Sequence, residues 1–444
     1  MERDALKTAV ESRLGARQLL WVGLRGDDAE PLSDLEQFAG SFSLIGRYVR
    51  RRDVVSESYE QFSGARVDPE TWDIDDHLND EPVVAFRHAL LRALSRESAI
   101  LPYRPSALLS AISFSQRERV ACLGLFPSLQ SAFEHKPWVE SSIAALGDVP
   151  YVPWTYIADE DQMLARSFFG DGTVVLRRSR TSGGEGIVHV RDPDDVRSNW
   201  PRGADAFASI SRFIDDAIPV NVGATVWRDG VTVHHASVQL IGIPGLVSRE
   251  FGYCGNDFAR AKDLGAEVLD QIEESTTRIG DWLRSYGFRG SFGVDFLVAD
   301  GRPLFLEVNP RFQGSTHASA RLDIEQGLPD LMLEHLAAWL DLDRPAAPPL
   351  RDRVAAASDF SHVVFHRIAD EPDVLDITPL VRSIRELPGR NGTELVLPSE
   401  IECAPGAAML RWTTWQTVTR SGYELLDPFN HLSAVLGAER QEHP

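Results

Sequence analysis

The sequence predicts a mixed α/β protein of 444 residues, organised in three successive parts. Short apolar runs alternate with a helical pattern before Lys136, and strand-like runs dominate between Tyr151 and Val308. A proline-rich stretch, Arg344–Pro349, then precedes the last part of the chain. Hydrophobic residues make up 43% of the sequence, which is enough to bury a sizeable core and speaks against disorder.

The charge and cysteine content exclude several classes of protein. Lys and Arg sum to 45 against 66 Asp and Glu, and the resulting net charge of -21 disfavours contact with nucleic acid or anionic membranes. The three cysteines include no Cys-x-x-Cys pair, which argues against a disulfide framework or a structural zinc site. Neither a signal-like N-terminal segment nor a membrane-spanning apolar run is visible. We therefore expect a soluble, cytoplasmic protein with neither nucleic-acid nor membrane partners.

The first part of the chain, residues 1–135, predicts a parallel sheet. The apolar runs Leu19–Leu24, Phe42–Ile45 and Ala99–Pro102 are typical of buried strands, and Ala85–Arg96 has a helical pattern. Strands that alternate with helices are typical of an α/β lobe. We therefore expect an N-terminal α/β domain here.

The middle part, residues 136–343, is richer in strands. Its strand candidates share runs of apolar and β-branched residues and are Thr173–Arg178, Gly186–Val190, Ala206–Ile214, Val222–Trp227, Val231–Leu240, Ser291–Val298 and Pro303–Val308. A helix is predicted at Gly265–Tyr286, where apolar residues recur with the helical period. Residues 350–444 are long enough for a small C-terminal α+β domain, whose role the sequence does not reveal.

The last predicted hairpin of the middle part carries three hard oxygen ligands, Asp295, Glu307 and Asn309. They stand among apolar residues, where unpaired carboxylates would be costly. A three-residue loop, Ala299–Gly301, would make Glu307 the diagonal neighbour of Asp295, roughly 7–8 Å away, a span that Mg²⁺ can bridge. A two-residue turn would instead place the two carboxylates on opposite faces. The magnesium prediction therefore depends on the register, and its alternative is a hairpin with solvated acids.

Glycines cluster between two other strand candidates. Gly183, Gly184 and Gly186 would let backbone N–H groups approach a phosphate closely, and Arg177 on the preceding strand can meet its charge. The alternative is an ordinary Gly-rich hairpin, because such turns are common. The stretch is neither a Walker A loop nor a Rossmann turn.

The strand candidate that ends at Ile214 runs into an acidic turn, Asp215-Asp216. An adenine can form hydrogen bonds with the backbone of such a segment, which leaves no side-chain signature. By itself the segment is more typical of a core strand.

Taken in this order, the Gly-rich hairpin, the strand-to-turn segment and the Asp-x11-Glu-x-Asn-x-Arg hairpin resemble the ATP-grasp superfamily, and in particular its carboxylate ligases. The resemblance covers roughly residues 136–314, and the Glu-x-Asn-x-Arg segment is its specific part. It implies an ATP-grasp fold preceded by an α/β lobe and followed by the small C-terminal domain.

The resemblance also implies a role for each matching residue. Mg²⁺, with Mn²⁺ as an alternative, would bridge the phosphates of ATP on Asp295, Glu307 and Asn309. Arg311 would be catalytic, because it would steady the γ-phosphate and the acyl phosphate. The remaining ATP contacts would come from a phosphate-binding lysine, the strand before the lid, the glycine lid and the adenine hinge, namely Lys136, Arg177, Gly183, Gly184, Gly186, Arg212, Phe213 and Ile214.

Two positions depart from the pattern of the family. Arg177 stands where the family usually has lysine, and arginine binds phosphate with a different geometry. Ser211 stands where the hinge usually has glutamate, which weakens the hinge assignment more than the metal assignment. Lys136 is one of three lysines in the chain, and its alternative is a solvated helix lysine.

The activity that the resemblance implies is that of an ATP-dependent carboxylate–amine ligase. It would form a peptide or amide bond through an acyl phosphate, with small-molecule or peptide carboxylates and amines as substrates. The layout is similar to that of the stand-alone ligases of natural-product pathways such as pheganomycin biosynthesis. Two alternatives stay open: a regulatory ATP-binding protein without turnover, and a ligase with a thiol or ammonia nucleophile. A homodimer is also left open.

Other polar residues are weaker candidates. The acceptor pocket would be bordered by Tyr253, Asn256 and Asp257, with a structural turn as the alternative. The phosphate end would be lined by the residues after Arg311, namely Gln313, Ser315, Thr316 and His317. Cys254 is expected to be a packing residue. His234 and His235 alternate on a strand, so only one of them is expected to face a site, and the preferred interpretation is a satisfied surface or core histidine.

Overall fold

The computed structural model describes residues 2–158, 160–161, 173–178, 183–201, 208–368 and 374–435. Thr181 and Ser182 of the predicted glycine lid, and the first two residues of the predicted strand Ala206–Ile214, lie outside this range. The strands are β1 Gln18–Arg25, β2 Phe38–Ile45, β3 Val55–Ser58, β4 Ala65–Arg66, β5 Ser98–Pro102, β6 Val120–Cys122, β7 Thr155–Ile157, β8 Val174–Arg178, β9 Ile187–Val190, β10 Ala208–Arg212, β11 Ile218–Val226, β12 Val231–Ile241, β13 Tyr253–Asp257, β14 Gly290–Ala299, β15 Arg302–Asn309, β16 Ser361–His366, β17 Asn391–Glu394, β18 Glu402–Cys403 and β19 Ala408–Thr414. The α-helices are Arg3–Leu14, Tyr59–Ser63, Glu81–Ala93, Ala107–Ser115, Pro127–Phe133, Lys136–Ala144, Pro193–Asn199, Ala266–Ser285, Thr316–Glu325, Leu331–Trp339, Leu350–Ala356 and Thr378–Glu386.

The N-terminal lobe is built on a parallel sheet in the order β3-β2-β1-β5-β6. This arrangement confirms the predicted α/β lobe. The helix expected at Ala85–Arg96 begins earlier, at Glu81, because Pro82 favours the first turn of a helix. The carboxyl edge of β1 points towards the rest of the molecule, since Arg25 lines the main cavity described below.

A small antiparallel sheet in the order β7-β10-β8-β9 carries the predicted glycine lid and hinge. It has a core of its own, in which Leu176, Val190 and Ile210 are buried together. The lid therefore connects two neighbouring strands, β8 and β9, and the hinge follows β10. Both elements are attached to one compact layer.

The central sheet runs in the order β15-β14-β11-β12-β13-β16-β19-β17. The long helix Ala266–Ser285 covers it and buries Val268, Ile272, Ile279 and Leu283, which confirms the predicted amphipathic face. In the part of the chain that is described, no helix is both long and apolar enough to cross a membrane.

The C-terminal part of the chain continues this sheet. β16 pairs with β13, and β19 pairs with β16, so the sheet runs without a break from the middle part into residues 350–444. The predicted boundary at residue 350 consequently does not coincide with a break in the sheet.

A β-bulge in β12 lets two successive histidines contact one aspartate. The register of β11 against β12 shifts opposite Gly223, where β12 has one residue more than its partner. His234 Nδ1 lies 2.8 Å from Asp323 Oδ2, and His235 Nε2 lies 3.1 Å from Asp323 Oδ1. Both histidines are buried, which confirms the core interpretation, but the expectation that only one can face a given site is wrong here.

His234 is expected to make stability depend on pH. Burial alone would lower its pKa, but the carboxylates of Glu334 and Asp323 outweigh burial and raise the pKa of His234 to about 9. The stabilisation by protonated His234 is complete below its unfolded pKa of about 6.5 and is lost as the pH rises through about 9. We expect the free energy of unfolding to fall by on the order of 3 kcal/mol across this window, and His234→Gln to remove most of that fall.

Urea titrations at several pH values between these limits measure this effect. The exposed His88 offers a matched control, since His88→Gln should keep the wild-type pH dependence. Parallel pH profiles for the wild type and His234→Gln would contradict the assignment.

Candidate active site

The hairpin β14–β15 turns through two residues. Ala299 pairs with Arg302, and the turn residues Asp300 and Gly301 have φ values of 50° and 71°. Two successive positive φ angles are typical of the tight turns that suit hairpins. The predicted three-residue loop is therefore wrong, and simple alternation from this turn would separate the two carboxylates.

A β-bulge in β15 brings the carboxylates back together. Phe296 pairs with Phe305, but Asp295 pairs with Glu307, which leaves Leu306 as the extra residue. Asp295 and Glu307 therefore lie directly opposite each other, closer than the predicted diagonal arrangement. The juxtaposition on which the magnesium prediction depends does form, but a bulge produces it rather than the turn.

Amide side chains orient Asp295. Asn221 Nδ2 donates to its Oδ1 at 2.5 Å, Gln239 Nε2 donates to the same oxygen at 3.3 Å, and Asn309 Nδ2 donates to Oδ2 at 3.1 Å. Burial and then the facing charge of Glu307 raise the pKa of Asp295 to about 6, and the amide donors offset this only in part. Two carboxylates held in this way are stabilised by a cation placed between them.

Lys136 neutralises one member of the pair. It is the first residue of the helix Lys136–Ala144, it is buried, and its Nζ lies 2.6 Å from Glu307 Oε2. The ammonium therefore stands beside the carboxylates, at a position from which a bound phosphate would also be within its range. The alternative of a solvated surface lysine is wrong.

Arg311 is a fixed positive charge beside the same pair. Its Nη1 donates to the carbonyl oxygen of Phe312 at 3.1 Å, and its Nε lies 3.4 Å from Glu134 Oε1. Burial would lower its pKa, but Tyr103 and nearby carboxylates, including Glu307, raise the pKa above its usual range. The guanidinium is therefore charged, and the Phe312 carbonyl and Glu134 help to hold it.

Arg177 is already paired, unlike a free phosphate ligand. Its Nη2 donates to Glu140 Oε1 at 2.7 Å, and its guanidinium lies 5.2 Å from the ring centre of Trp154. Glu140 also accepts a hydrogen bond from Tyr156. Arg177 lines the cavity, so the structure places it at the predicted location; Glu140 pairs with its Nη2, while its Nε has no hydrogen-bond partner among the described residues.

The predicted hinge lines the cavity. Pairing between β10 and β7 reaches only Ile210, so this strand contact ends before the hinge begins. Apolar side chains line the same cavity, namely Val152, Val175, Ile187, Ile241, Leu297 and Leu306. The cavity therefore offers apolar surface to a flat group such as a base.

The glycine lid packs closely against a neighbouring loop. Gly183, Gly184 and Gly186 have φ values of 59°, 78° and 63°, which favour glycine. A Cβ atom added at Gly184 would lie 1.8 Å from the carbonyl oxygen of Phe251. Glycine is therefore required at this position by both backbone conformation and space.

These elements enclose a cavity of about 210 Å³. The predicted site residues that line it are Arg177, Gly183, Gly184, Arg212, Phe213, Ile214, Asp295, Glu307, Asn309 and Arg311. Lys136 reaches this site through Glu307, and Gly186, the third glycine of the lid, is not among the described residues that line the cavity. The described residues thus bring together nearly the whole predicted set.

The weaker candidates divide into two groups. Those that line the cavity are Tyr253, Asn256, Gln313 and Ser315, together with the hinge departure Ser211. Asp257 instead accepts hydrogen bonds from the backbone N–H groups of Val418 and Thr419, and Thr316 accepts one from the backbone N–H of Gln313. His317 is buried near Asp28. Cys254 is buried, and burial raises the pKa of its thiol to about 12, in line with a packing role.

Sequence reasoning missed several residues that line the cavity, namely Arg25, Glu70, Tyr103, Asn221 and Gln239. Two signals could have found some of them. Arg25 ends a strand of the parallel sheet, and ligands of α/β sheets bind at that edge. Asn221 interrupts the otherwise apolar strand Ile218–Val226, where a polar side chain needs a partner.

The donor set fits Mg²⁺ bound together with a nucleotide. Among the residues that the structure describes, no group of three or more His, Cys, Asp or Glu side chains could hold a metal by itself. Asp295, Glu307 and Asn309 instead offer two carboxylates and one amide oxygen. Mg²⁺ prefers such oxygen ligands and usually takes the rest of its shell from phosphates and water.

Comparison with known proteins agrees with this geometry. A sequence model of the ATP-grasp domain matches residues 149–315, a range that contains the lid, the hinge and the β14–β15 hairpin. Residues 149–315 are therefore similar to an ATP-grasp domain. The match confirms the resemblance and extends from just after the Lys136 helix to Ser315.

Two solved structures resemble most of the chain. A carboxyaminoimidazole ribonucleotide synthase from Aspergillus clavatus, complexed with ATP, has a TM-score of 0.56 and 13% identity over 90% of this chain and 94% of that one. The biotin carboxylase domain of the Hydrogenobacter thermophilus 2-oxoglutarate carboxylase, with MgADP and bicarbonate, has a TM-score of 0.59 and 13% identity over 90% and 86%. At this level of identity the likeness shows the fold, and it confirms the predicted fold class.

The curated sequence relatives of this chain are larger proteins. The carbamoyl phosphate synthase large chain of Vibrio cholerae is 25% identical over 254 residues, which cover 55% of this chain and 23% of that protein. The corresponding chain of Vibrio vulnificus is 24% identical over the same length. This chain thus spans about a quarter of the length of the curated relatives that it matches.

Proposed function

We propose that this protein is an ATP-dependent carboxylate–amine ligase. It would transfer the γ-phosphoryl group of ATP to a carboxylate and then join the acyl group to an amine, releasing ADP and phosphate. The observation that carries the proposal is the facing pair Asp295–Glu307 beside Arg311, in the same cavity as the predicted hinge. The product would be a peptide or amide, and we propose natural-product biosynthesis as the setting.

The chemistry calls for positive charge and orientation around the transferring phosphoryl group. Asp295, Glu307 and Asn309 would hold Mg²⁺, which when bound would neutralise charge on the phosphates. Arg311 would stabilise the transferring group and later the oxyanion formed when the amine attacks. Lys136 would share its charge between Glu307 and a phosphate oxygen. The hinge, Arg212–Ile214, would bind adenine through its backbone.

The relatives support the proposal without identifying the substrates. The solved structures named above contain ATP, or MgADP with bicarbonate, and the curated relatives are carbamoyl phosphate synthases. Nucleotide phosphates and small carboxylate-like substrates are thus associated with proteins that share this domain.

Gly184→Ala is expected to weaken the binding of ATP by at least about tenfold, because the added methyl group collides with the Phe251 carbonyl and the backbone conformation is strained. Titration calorimetry with a non-hydrolysable ATP analogue and Mg²⁺ measures the effect. Gly287→Ala is the matched control: Gly287 has a φ of 82°, and nothing lies within 4 Å of an added Cβ. If the Gly184→Ala variant and the wild type bind ATP with equal affinity, the glycine lid is not part of the ATP site.

The ligase proposal is tested by ADP and phosphate release from ATP–Mg²⁺ with amino acids and short peptides, offered singly and in pairs, with mass spectrometry of the products. Release that needs a pair, together with a product lighter than the pair by one water, is the expected result. Ammonia and thiols are tested separately in place of the amine. If the enzyme prefers either of them, that compound class becomes the proposed nucleophile. Tight ATP binding without turnover for any pair would instead favour the regulatory ATP-binding protein.

A further inference from the structure

Arg25 connects the N-terminal lobe to the cavity. It is the last residue of β1, and its side chain lines the cavity wall although only 6% of the residue is exposed. Trp21 Nε1 donates to the Arg25 carbonyl oxygen at 3.3 Å, which holds the backbone in place. The carboxyl edge of a parallel sheet is where α/β lobes bind ligands. The position of Arg25 is therefore that of a ligand-binding side chain.

The charge of Arg25 is not fully used by the protein. Its Nη1 lies 3.9 Å from Asp28 Oδ2, which is too long for a hydrogen bond, and it has no hydrogen-bond partner within the described part of the chain. Asp28 is shared with Arg411, whose Nη1 donates to Asp28 Oδ1 at 2.7 Å, while Asp28 Oδ2 has no hydrogen-bond partner among the described residues. A buried guanidinium with an unsatisfied donor is costly, and an anion in the cavity that this side chain lines would stabilise it.

The groups around Arg25 suit a single carboxylate. Tyr103 and Tyr253 lie close enough to act on its charge, and burial raises the pKa of both phenols, so their hydroxyls stay protonated. The amide of Gln313 lines the same cavity. One guanidinium offers two parallel N–H donors to a carboxylate, and neutral hydroxyl and amide groups can complete the shell. A phosphate dianion would call for more free positive charge than this wall provides.

Arg25 is distinct from the groups proposed for phosphoryl transfer. The carboxylates that act on Arg311 are Glu134, Glu70 and Glu307, whereas Asp28 is the carboxylate that acts on Arg25. Tyr103 lies near both arginines, and all three side chains line the same cavity. The carboxylate that is phosphorylated must meet ATP beside Arg311, so an anion at Arg25 belongs to a different group.

We propose that Arg25 binds a carboxylate that does not react, carried by the amine substrate. The amine substrate would then be an amino acid, or a peptide with a free C-terminal carboxylate, held by the N-terminal lobe with its amine directed towards Arg311. This inference rests on the proposed ligase function and adds the class of its second substrate.

The test compares L-amino acids with their C-terminal carboxamides in the wild type, Arg25→Met and Arg25→Lys. Two readouts are used: pair-dependent ADP release, and the binding of each compound measured by thermal shift with a non-hydrolysable ATP analogue and Mg²⁺. The wild type should prefer the free acid by on the order of 10–100-fold, the contribution expected of a charged hydrogen-bonded pair. Arg25→Met should lose that preference while it keeps its affinity for the ATP analogue, and Arg25→Lys should retain part of it. Arg92→Met, at an exposed helix position of the same lobe, is the control and should behave like the wild type.

The outcomes separate this proposal from the ligase proposal. If the wild type binds free acids selectively, Arg25→Met abolishes that selectivity and no pair is turned over, the Arg25 site would be supported and the ligase proposal overturned. Two results would overturn the Arg25 site alone. In the first, the wild type turns over free acids and carboxamides equally well; in the second, the Arg25→Met variant still prefers the free acids. A preference for phosphorylated amines over carboxylates would overturn the assignment of a carboxylate. If Arg25→Met does not fold, the Arg25→Lys variant decides. Full preference for the free acid and unchanged affinity for it in that variant would also overturn the Arg25 site.

Discussion

Glu307→Gln is expected to lower the rate of ADP release by at least about 10³-fold, the largest effect that we predict for a single substitution. Glutamine keeps the shape of the side chain but removes one of the two facing negative charges at the proposed Mg²⁺ site. The phosphates would then lack part of the positive charge that the metal supplies. The measurement is single-turnover ADP release over a range of Mg²⁺ concentrations, in which the variant should also need more Mg²⁺.

The same substitution has a structural side effect that must be separated from catalysis. Lys136 Nζ lies 2.6 Å from Glu307 Oε2, so the variant leaves a buried ammonium beside a neutral amide. Melting temperatures should therefore be compared with those of Glu267→Gln, at an exposed position on the long helix. Full turnover in a folded Glu307→Gln variant would refute the metal assignment.

Arg311→Met is expected to lower kcat by about 10²–10³-fold, because its charge acts on the transferring phosphoryl group and on the oxyanion. ATP affinity should change much less, since the predicted hinge and the carboxylate pair are untouched. Methionine fills a similar volume, which limits rearrangement around Phe312. Steady-state kinetics together with calorimetric binding of the ATP analogue separate the two effects.

The control for this substitution is again Arg92→Met, which removes an exposed charge from the N-terminal lobe. If only KM changes and kcat stays as in the wild type, Arg311 contributes to substrate binding in the ground state and not to stabilisation of the transition state. Loss of ATP affinity as large as the loss of kcat would lead to the same conclusion.

The β14–β15 hairpin shows how far local sequence reasoning reaches. The sequence predicted which residues carry the oxygen ligands, because three polar side chains on an apolar hairpin need partners. It did not predict how they meet. β14 pairs with β11 without a shift in register, so the extra residue is absorbed on the other side, by the bulge at Leu306 in β15. A bulge depends on the neighbouring strands, which a single segment does not reveal.

Ion pairs also separate what the local sequence predicts from what the tertiary structure decides. Arg177 looked like a phosphate ligand on its own strand, but Glu140 and Trp154, which come from other elements, take up most of its interactions. The sequence did not mark Arg25 as a site residue, but the fold carries it to the cavity wall, where its Nη1 has no hydrogen-bond partner among the described residues. Burial and charge partners at long sequence separation decide both roles.

The sequence by itself determined the alternation of strands and helices, the amphipathic face of Ala266–Ser285 and the identity of the residues at the proposed metal site, because these follow from local periodicity and side-chain chemistry. Tertiary structure alone decided the register of β15, the continuation of the central sheet through β16 and the joining of Arg25 to the ATP-grasp domain. The physical reason is that strand pairing and buried charge are settled by partners distant in the chain, whose contacts leave no local pattern.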